Sequence, residues 1–129
     1  MSRKITLAAA LAAMLTAGAT HAAPNRPTAI TETRIAQGKT LFSRKCAPCH
    51  GAGPGDDGAP MLPATAVLAA RYRGQLPAAL DQRQDLGADT IRHFVRHGSG
   101  GMPMFRRAEL SDGDIDAIAA YIATHSRRP

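Results

Sequence analysis

Residues Cys46-Ala47-Pro48-Cys49-His50 set two thiols three positions apart and place an imidazole directly after the second. This C-x-x-C-H arrangement is the attachment pattern of a c-type haem. The chemistry accounts for the spacing. Each cysteine adds across one vinyl group of the porphyrin, and two intervening residues let both sulfurs reach one edge. The following residue then comes round beneath the ring, which makes His50 the expected proximal ligand to iron. Other uses of paired cysteines fit less well. A thiol–disulfide pair at Cys46 and Cys49 expects a βαβ context, whereas this chain shows no β-alternation. A structural zinc site needs four ligands, and the motif offers three with no second C-x-x-C elsewhere.

The N-terminal residues bear on how far the motif is to be trusted. Arg3 and Lys4 precede an apolar or small run from Ile5 to Ala17, 13 residues long, and Thr20-His21-Ala22-Ala23-Pro24 puts small residues where a cut after Ala22 needs them. That is the pattern of a secretory signal peptide over residues 1–22. The apolar run falls short of the roughly 20 residues that cross a bilayer. The expectation is an exported, periplasmic protein with no stable membrane insertion, its leader cleaved and its working domain at 23–129. Cleavage takes the formal charge from +6 to +4 by removing Arg3 and Lys4. The remaining basic residues are not interleaved with aromatics as a nucleic-acid surface would be, which excludes that class of partner.

The chain has no Trp, and its aromatic residues are Phe42, Tyr72, Phe94, Phe105 and Tyr121. A domain this small is stable only by a narrow margin, and an apolar porphyrin supplies the flat core element that the side chains lack. The periodicity is helical throughout. Residues 112–125 form the clearest helix, with Ser111 as N-cap, Asp112 and Asp114 in the first turn, and Ile115, Ile118, Ala119 and Ile122 on one stripe. A second helix is expected at 32–45, with Ile35, Gly38, Leu41 and Phe42 inward. Gly38 costs roughly 1 kcal/mol in a helix relative to Ala, which makes sense where another helix crosses closely; Tyr121 is the expected partner ring for Phe42. A third helix is expected at 90–97, capped by Asp89 or Thr90, with Ile91, Phe94 and Val95 inward and Gly98 as terminator. A weaker one covers 65–73, and 51–63 reads as loop.

A helix, C-x-x-C-H, a loop-rich middle, Gly98-Ser99-Gly100-Gly101-Met102-Pro103-Met104-Phe105 and a closing amphipathic helix together resemble the class I cytochromes c over essentially the whole mature chain. The resemblance implies an all-α cytochrome c fold, three to five helices wrapped around one covalently bound haem. It also implies a methionine as second axial ligand, on a glycine-rich loop before proline, which is Met102 here. A soft thioether suits reduced iron, and Met/His ligation raises the potential. Met104 reads as packing, Met61 as a wall residue, and Met14 leaves with the leader. A bis-histidine site through His93, His97 or His125 is the other possibility, although His93 and His97 read more simply as surface polar residues.

Further roles follow from the same resemblance. The carbonyl of Pro60, in Gly58-Ala59-Pro60-Met61-Leu62, is expected to accept from the His50 imidazole, with Pro54 as the second choice. Tyr72, Arg71 and Arg73 are candidates to hold the propionates. Family attachment of haem c occurs outside the bacterial cytoplasm, in keeping with export. The implied role is single-electron transfer rather than catalysis, as a soluble carrier or as the cytochrome subunit of a dehydrogenase. The alternative is a haem enzyme or sensor whose open axial position binds peroxide or a small ligand. Arg71-Tyr72-Arg73-Gly74, Leu76-Pro77-Ala78, Arg83, Asp85-Leu86 and Met102 to Arg106 look like small cytochromes that serve flavin-dependent dehydrogenases, p-cresol methylhydroxylase-like systems among them. Such a flavoprotein is the implied donor, and an oxidase or another cytochrome the implied acceptor. Arg106 and Arg107, with Lys39, Arg44 and Lys45, are read as a basic collar that steers an acidic partner.

Overall fold

The computed structural model describes residues 26–124. The expected leader and His125 therefore lie outside the described residues. Five helices follow in chain order: α1 (Arg26–Lys45), α2 (Ala47–His50), α3 (Pro63–Tyr72), α4 (Ala88–His97) and α5 (Asp112–Ile122), with one 3-10 turn at Leu80–Gln82. The fold is all-α, and the described residues contain no sheet, only an isolated antiparallel bridge between Ser99 and Met102.

The crossing of α1 and α5 organises the molecule, and the sequence dictates both helices. Ser111 Oγ accepts from the Asp114 N–H at 3.1 Å, and Asp114 accepts from the Ser111 N–H at 3.0 Å. This reciprocal capping box uses aspartate in place of the usual Glu or Gln. Behind it Ile115, Ile118, Ala119 and Ile122 are all buried, as their spacing requires. At Gly38 a Cβ would lie 1.9 Å from the Ala117 carbonyl oxygen, so α1 and α5 touch backbone to backbone and only glycine fits. One turn further on, Phe42 meets Tyr121 with ring centroids 5.5 Å apart and a 49° tilt. That geometry lies within the favourable range for aromatic pairs. Phe42, Val95, Leu110, Ile115, Ile118 and Ile122 form one core cluster.

Helix α4 lies across α5 and is tied to it by polar contacts. Arg92 bridges Asp89, at 2.9 Å, and Asp116 of α5. Two expectations for α4 are corrected. Its N-cap is Gly87, with Asp89 and Thr90 inside the first turn, because Gly87 adopts the extended conformation that starts the helix. Phe94 is 43% exposed rather than inward. Val95 holds the centre of the buried stripe, and Phe94 lies about 100° back round the helix, at the stripe's edge. Helix α1 begins at Arg26, earlier than expected. Helix α3 begins at Pro63, whose missing N–H is harmless at the first helical position.

Candidate haem site

The motif begins directly at the end of α1. Cys46 donates its backbone N–H to Phe42 O at 2.9 Å, and the N–H groups of Cys49 and His50 return to Cys46 O at 3.1 and 2.8 Å. These bonds wind the motif into the single turn α2, which places Cys46, Cys49 and His50 at i, i+3 and i+4 on one helical face. Both cysteines are free of disulfide bonding, with Cys46 half-buried and Cys49 exposed. Burial and the neighbouring Cys49 push the Cys46 thiol up to about 11. A thiol–disulfide exchange pair uses the opposite shift, a stabilised thiolate. Burial also pushes the His50 imidazole below its ordinary value, towards the neutral form that binds metal.

Behind α2 a hydroxyl holds the chain in place. Thr65 is buried in the first turn of α3 and donates to Gly51 O at 2.8 Å, with Cys49 O also in reach at 3.3 Å. Sequence reasoning missed this residue. The expected bond from His50 to Pro60 is not formed: His50 Nδ1 is buried without a hydrogen-bond partner, and Pro60 is exposed. The loop before Pro60 is closed by bonds among its own polar groups. Gly55 N–H donates to Ala59 O at 2.8 Å, Gly58 N–H to Gly55 O at 3.1 Å, and Ala59 N–H to Asp57 Oδ1 at 3.1 Å.

The Met102 segment forms a hook on the end of α4. Met102 and Ser99 exchange both backbone bonds, at 2.9 and 3.1 Å, around Gly100 and Gly101. Gly98 has φ of +69°, and a Cβ there would meet Met102 O at 2.6 Å, so both the turn and the close approach require glycine. Met102 and Cys46 are both partly buried and pack against the same core cluster, whereas Met104 is 61% exposed. Met61 is exposed as well. His93 and His97 stand exposed on α4, their rings stacked at 4.6 Å.

The candidate propionate residues are only partly brought together. Arg71 and Arg73 are exposed, and Tyr72 is half-buried. The cation beside Tyr72 is Arg83, whose guanidinium carbon lies 4.7 Å from the ring centroid. Its side chain is 5% exposed and forms a two-pronged pair with Asp85 at 2.6 and 2.5 Å. That pair holds the Asp85 carboxyl below the usual carboxylate range and the guanidinium firmly charged. Two members of the basic collar have carboxylate partners. Arg106 pairs with Glu109 at 3.2 Å and Arg107 with Asp112 at 3.4 Å.

These residues fit a covalently bound haem. Two thiols and a neutral imidazole share one helical face, and a thioether on a glycine hook abuts the same apolar core. Large apolar side chains such as Met61, Leu76 and Phe94 are exposed, apolar surface of the kind that a porphyrin plate would cover. The fold and site define a small class I c-type cytochrome. The family model described as cytochrome c oxidase, cbb3-type, subunit III matches residues 33–122, and the chain belongs to this family of cytochrome c domains. Curated relatives are named cytochrome c6. That of Picosynechococcus sp. is 33% identical over 88 residues, covering 68% of this chain and 70% of the relative. That of Cyanidioschyzon merolae is 31% identical over 94 residues, covering 73% and 77%. No solved structure matches the chain. The protein is accordingly a monohaem electron carrier with one haem c joined through Cys46 and Cys49, and not an enzyme. Among the described residues no helix is long and apolar enough to cross a membrane.

Proposed function

We propose that this cytochrome works in the periplasm after removal of residues 1–22, carrying single electrons with its iron held axially by His50 and Met102. The observation that carries the ligand assignment is the packing of Met102 and Cys46 on one core cluster, with Met104 turned out to solvent. The haem, when bound, supplies a one-electron couple. The chain supplies the rest. Burial favours the neutral form of His50, the form that ligates. The Ser99–Met102 bridge satisfies the backbone on either side of the thioether, so the side chain is presented without a local polar cost. Ligands fixed in this way move little between oxidation states, which suits electron transfer better than binding of peroxide or a small ligand.

The test is the far-red methionine–ferric charge-transfer band of the oxidised holoprotein. The expected result is a band in wild type and in Met104→Ala, and none in Met102→Ala. A band retained in Met102→Ala overturns the assignment in favour of another methionine, and no band in wild type overturns it in favour of an open or histidine-filled position.

The family's description as an oxidase subunit supports an oxidase or another cytochrome on the acceptor side. A flavoprotein dehydrogenase as donor rests on the likeness of the stretch from Arg71 to Arg106 alone. Because Arg106 and Arg107 are each paired with a carboxylate, these two arginines add little to the steering of a partner. Reduction kinetics with a candidate donor that change little in an Arg106→Ala, Arg107→Ala variant are the expected outcome.

A further inference from the structure

The hook that presents Met102 is shut by a single side chain, and no feature of the motif calls for it. Arg96 lies in the last turn of α4 with its side chain 15% exposed. Its Nη1 donates to Phe105 O at 2.9 Å, and its Nη2 donates to Leu110 O at 2.8 Å and to Asp112 Oδ1 at 2.6 Å. The Phe105 N–H in turn donates to Val95 O at 2.8 Å. Phe105 is therefore gripped through both of its peptide groups by adjacent residues of α4, three positions after Met102. The hook begins on α4 at Gly98, so both of its ends are fastened to one helix. Two of the guanidinium's three acceptors are backbone carbonyls of the segment that returns from the hook to α5. The third, Asp112, is held below the usual carboxylate range chiefly by its bond to Arg96. The Nε of Arg96 is buried with no partner, so the side chain occupies this place for the bonds at its fork.

We propose that Arg96 is a positioning residue for the Met102 thioether, a clasp whose opening is the main route by which an external ligand displaces that methionine. The inference rests on Met102 being the axial ligand. In a closed clasp, moving Met102 outward strains a loop fixed at Gly98 and at Phe105. With the clasp removed, Phe105 keeps its N–H bond to Val95 and the packing of its ring on the core but loses the hold on its carbonyl, and the loop swings out at lower cost. Arg96 touches neither the iron nor its ligands and acts entirely through the backbone of Phe105 and Leu110. Lysine cannot replace it, because one ammonium on an unbranched stem does not span two carbonyls and a carboxylate in this fixed fork.

The experiment titrates imidazole into the ferric holoprotein and follows loss of the far-red band, for wild type, Arg96→Lys, Arg96→Leu and Arg92→Leu. Arg92 ties α4 to α5 through Asp116 without touching the hook, and so reports general loosening. The expected result is imidazole binding tightened roughly ten- to a hundredfold in Arg96→Leu and at least severalfold in Arg96→Lys, from the loss of charge-assisted hydrogen bonds. Arg92→Leu is expected to lower the denaturation midpoint yet leave imidazole affinity as in wild type. Should Arg96→Leu fail to fold, Arg96→Lys decides the question alone. Unchanged imidazole affinity in the Arg96 variants overturns the clasp, as does an equal shift in Arg92→Leu. A wild-type protein without the far-red band overturns the Met102 reading itself, and the clasp with it, so the two failures are told apart.

Discussion

Gly38→Ala is the substitution that most directly interrogates the architecture. Alanine is the better helix former by roughly 1 kcal/mol, so an α1 free of neighbours gains stability from the change. Here the added Cβ would lie 1.9 Å from Ala117 O, 2.4 Å from Ala117 C and 3.0 Å from Ile118 N. All three are backbone atoms of α5, so no side-chain rotation relieves the contact, and the helices must separate by more than 1 Å. Separation disturbs the Phe42–Tyr121 pair and the burial of Ile115 and Ile118, which sit on the same interface. Overpacking costs typically about 1–3 kcal/mol and occasionally more. With no yielding atom the cost belongs at or above the top of that range, so after the propensity gain the net loss is at least about 2 kcal/mol. Against a total stability of roughly 5–15 kcal/mol, that lowers the melting temperature by on the order of 10 °C. The assay is chemical and thermal denaturation of the ferric holoprotein followed by far-UV circular dichroism. Gly113→Ala is the internal control. Its Cβ would meet only Ser111 Oγ, at 3.8 Å, on the exposed first turn of α5. The same chemical change is expected there to be neutral or stabilising by up to about 1 kcal/mol. A Gly38→Ala protein as stable as wild type, or one that parallels Gly113→Ala, refutes the close-crossing account.

Three further outcomes are expected. Phe42→Ala removes a side chain that is 2% exposed and costs about 3–5 kcal/mol; a double-mutant cycle with Tyr121→Ala assigns about 0.5–1.5 kcal/mol of coupling to the ring pair, read from denaturant midpoints. Thr65→Val leaves the buried Gly51 carbonyl without its 2.8 Å partner and costs about 1–3 kcal/mol, while Thr65→Ser restores most of it; a valine variant as stable as wild type removes Thr65 from the account. The Ser111 bonds hold the Asp114 carboxyl below its ordinary value. Since the folded-state value is the lower one, this stability is complete above the carboxylate range and disappears as pH falls below about 4 and through the folded value. Denaturation midpoints of wild type measured from neutral to acid pH should therefore drop more steeply than those of Asp114→Asn.

The elements legible in the sequence were those whose cause is local. Ser111 with Asp114 three residues on and the Ile115–Ile118–Ile122 stripe specify α5 from neighbouring residues alone, and the chain folds as they dictate. Gly38 went further. A glycine that weakens its own helix implied a long-range contact, and Tyr121 opposite Phe42 followed from the two stripes. The motif itself was legible because covalent chemistry dictates its spacing. What stayed hidden depends on which polar group finds which partner across the loops. Nothing about Thr65 distinguishes it from an ordinary first-turn threonine, since its acceptor is the carbonyl of a glycine fourteen positions earlier.

The arginines make the same point with consequences for the site. Arg71 and Arg73 flank Tyr72 in sequence, yet Arg71 lies about 100° round the helix from it, Arg73 is the left-handed C-cap that follows it, and both are exposed. Arg83, ten residues beyond Arg73, is the one that folds back over the Tyr72 ring, with Asp85 fixing its fork. As a charge in the last turn of a helix, Arg96 would be worth only about 0.3–1 kcal/mol. Its actual partners are Phe105 O, Leu110 O and Asp112, gathered by a loop whose course is set by Gly98 and the Ser99–Met102 bridge. A guanidinium is informative about function only once the carbonyls it joins are known. In this protein the two most deeply engaged arginines are not those next to the recognisable motifs. One stiffens the segment after α3, and the other closes the hook that carries the thioether. On the proposed clasp, access of an external ligand to the iron depends on a residue that no spacing rule selects.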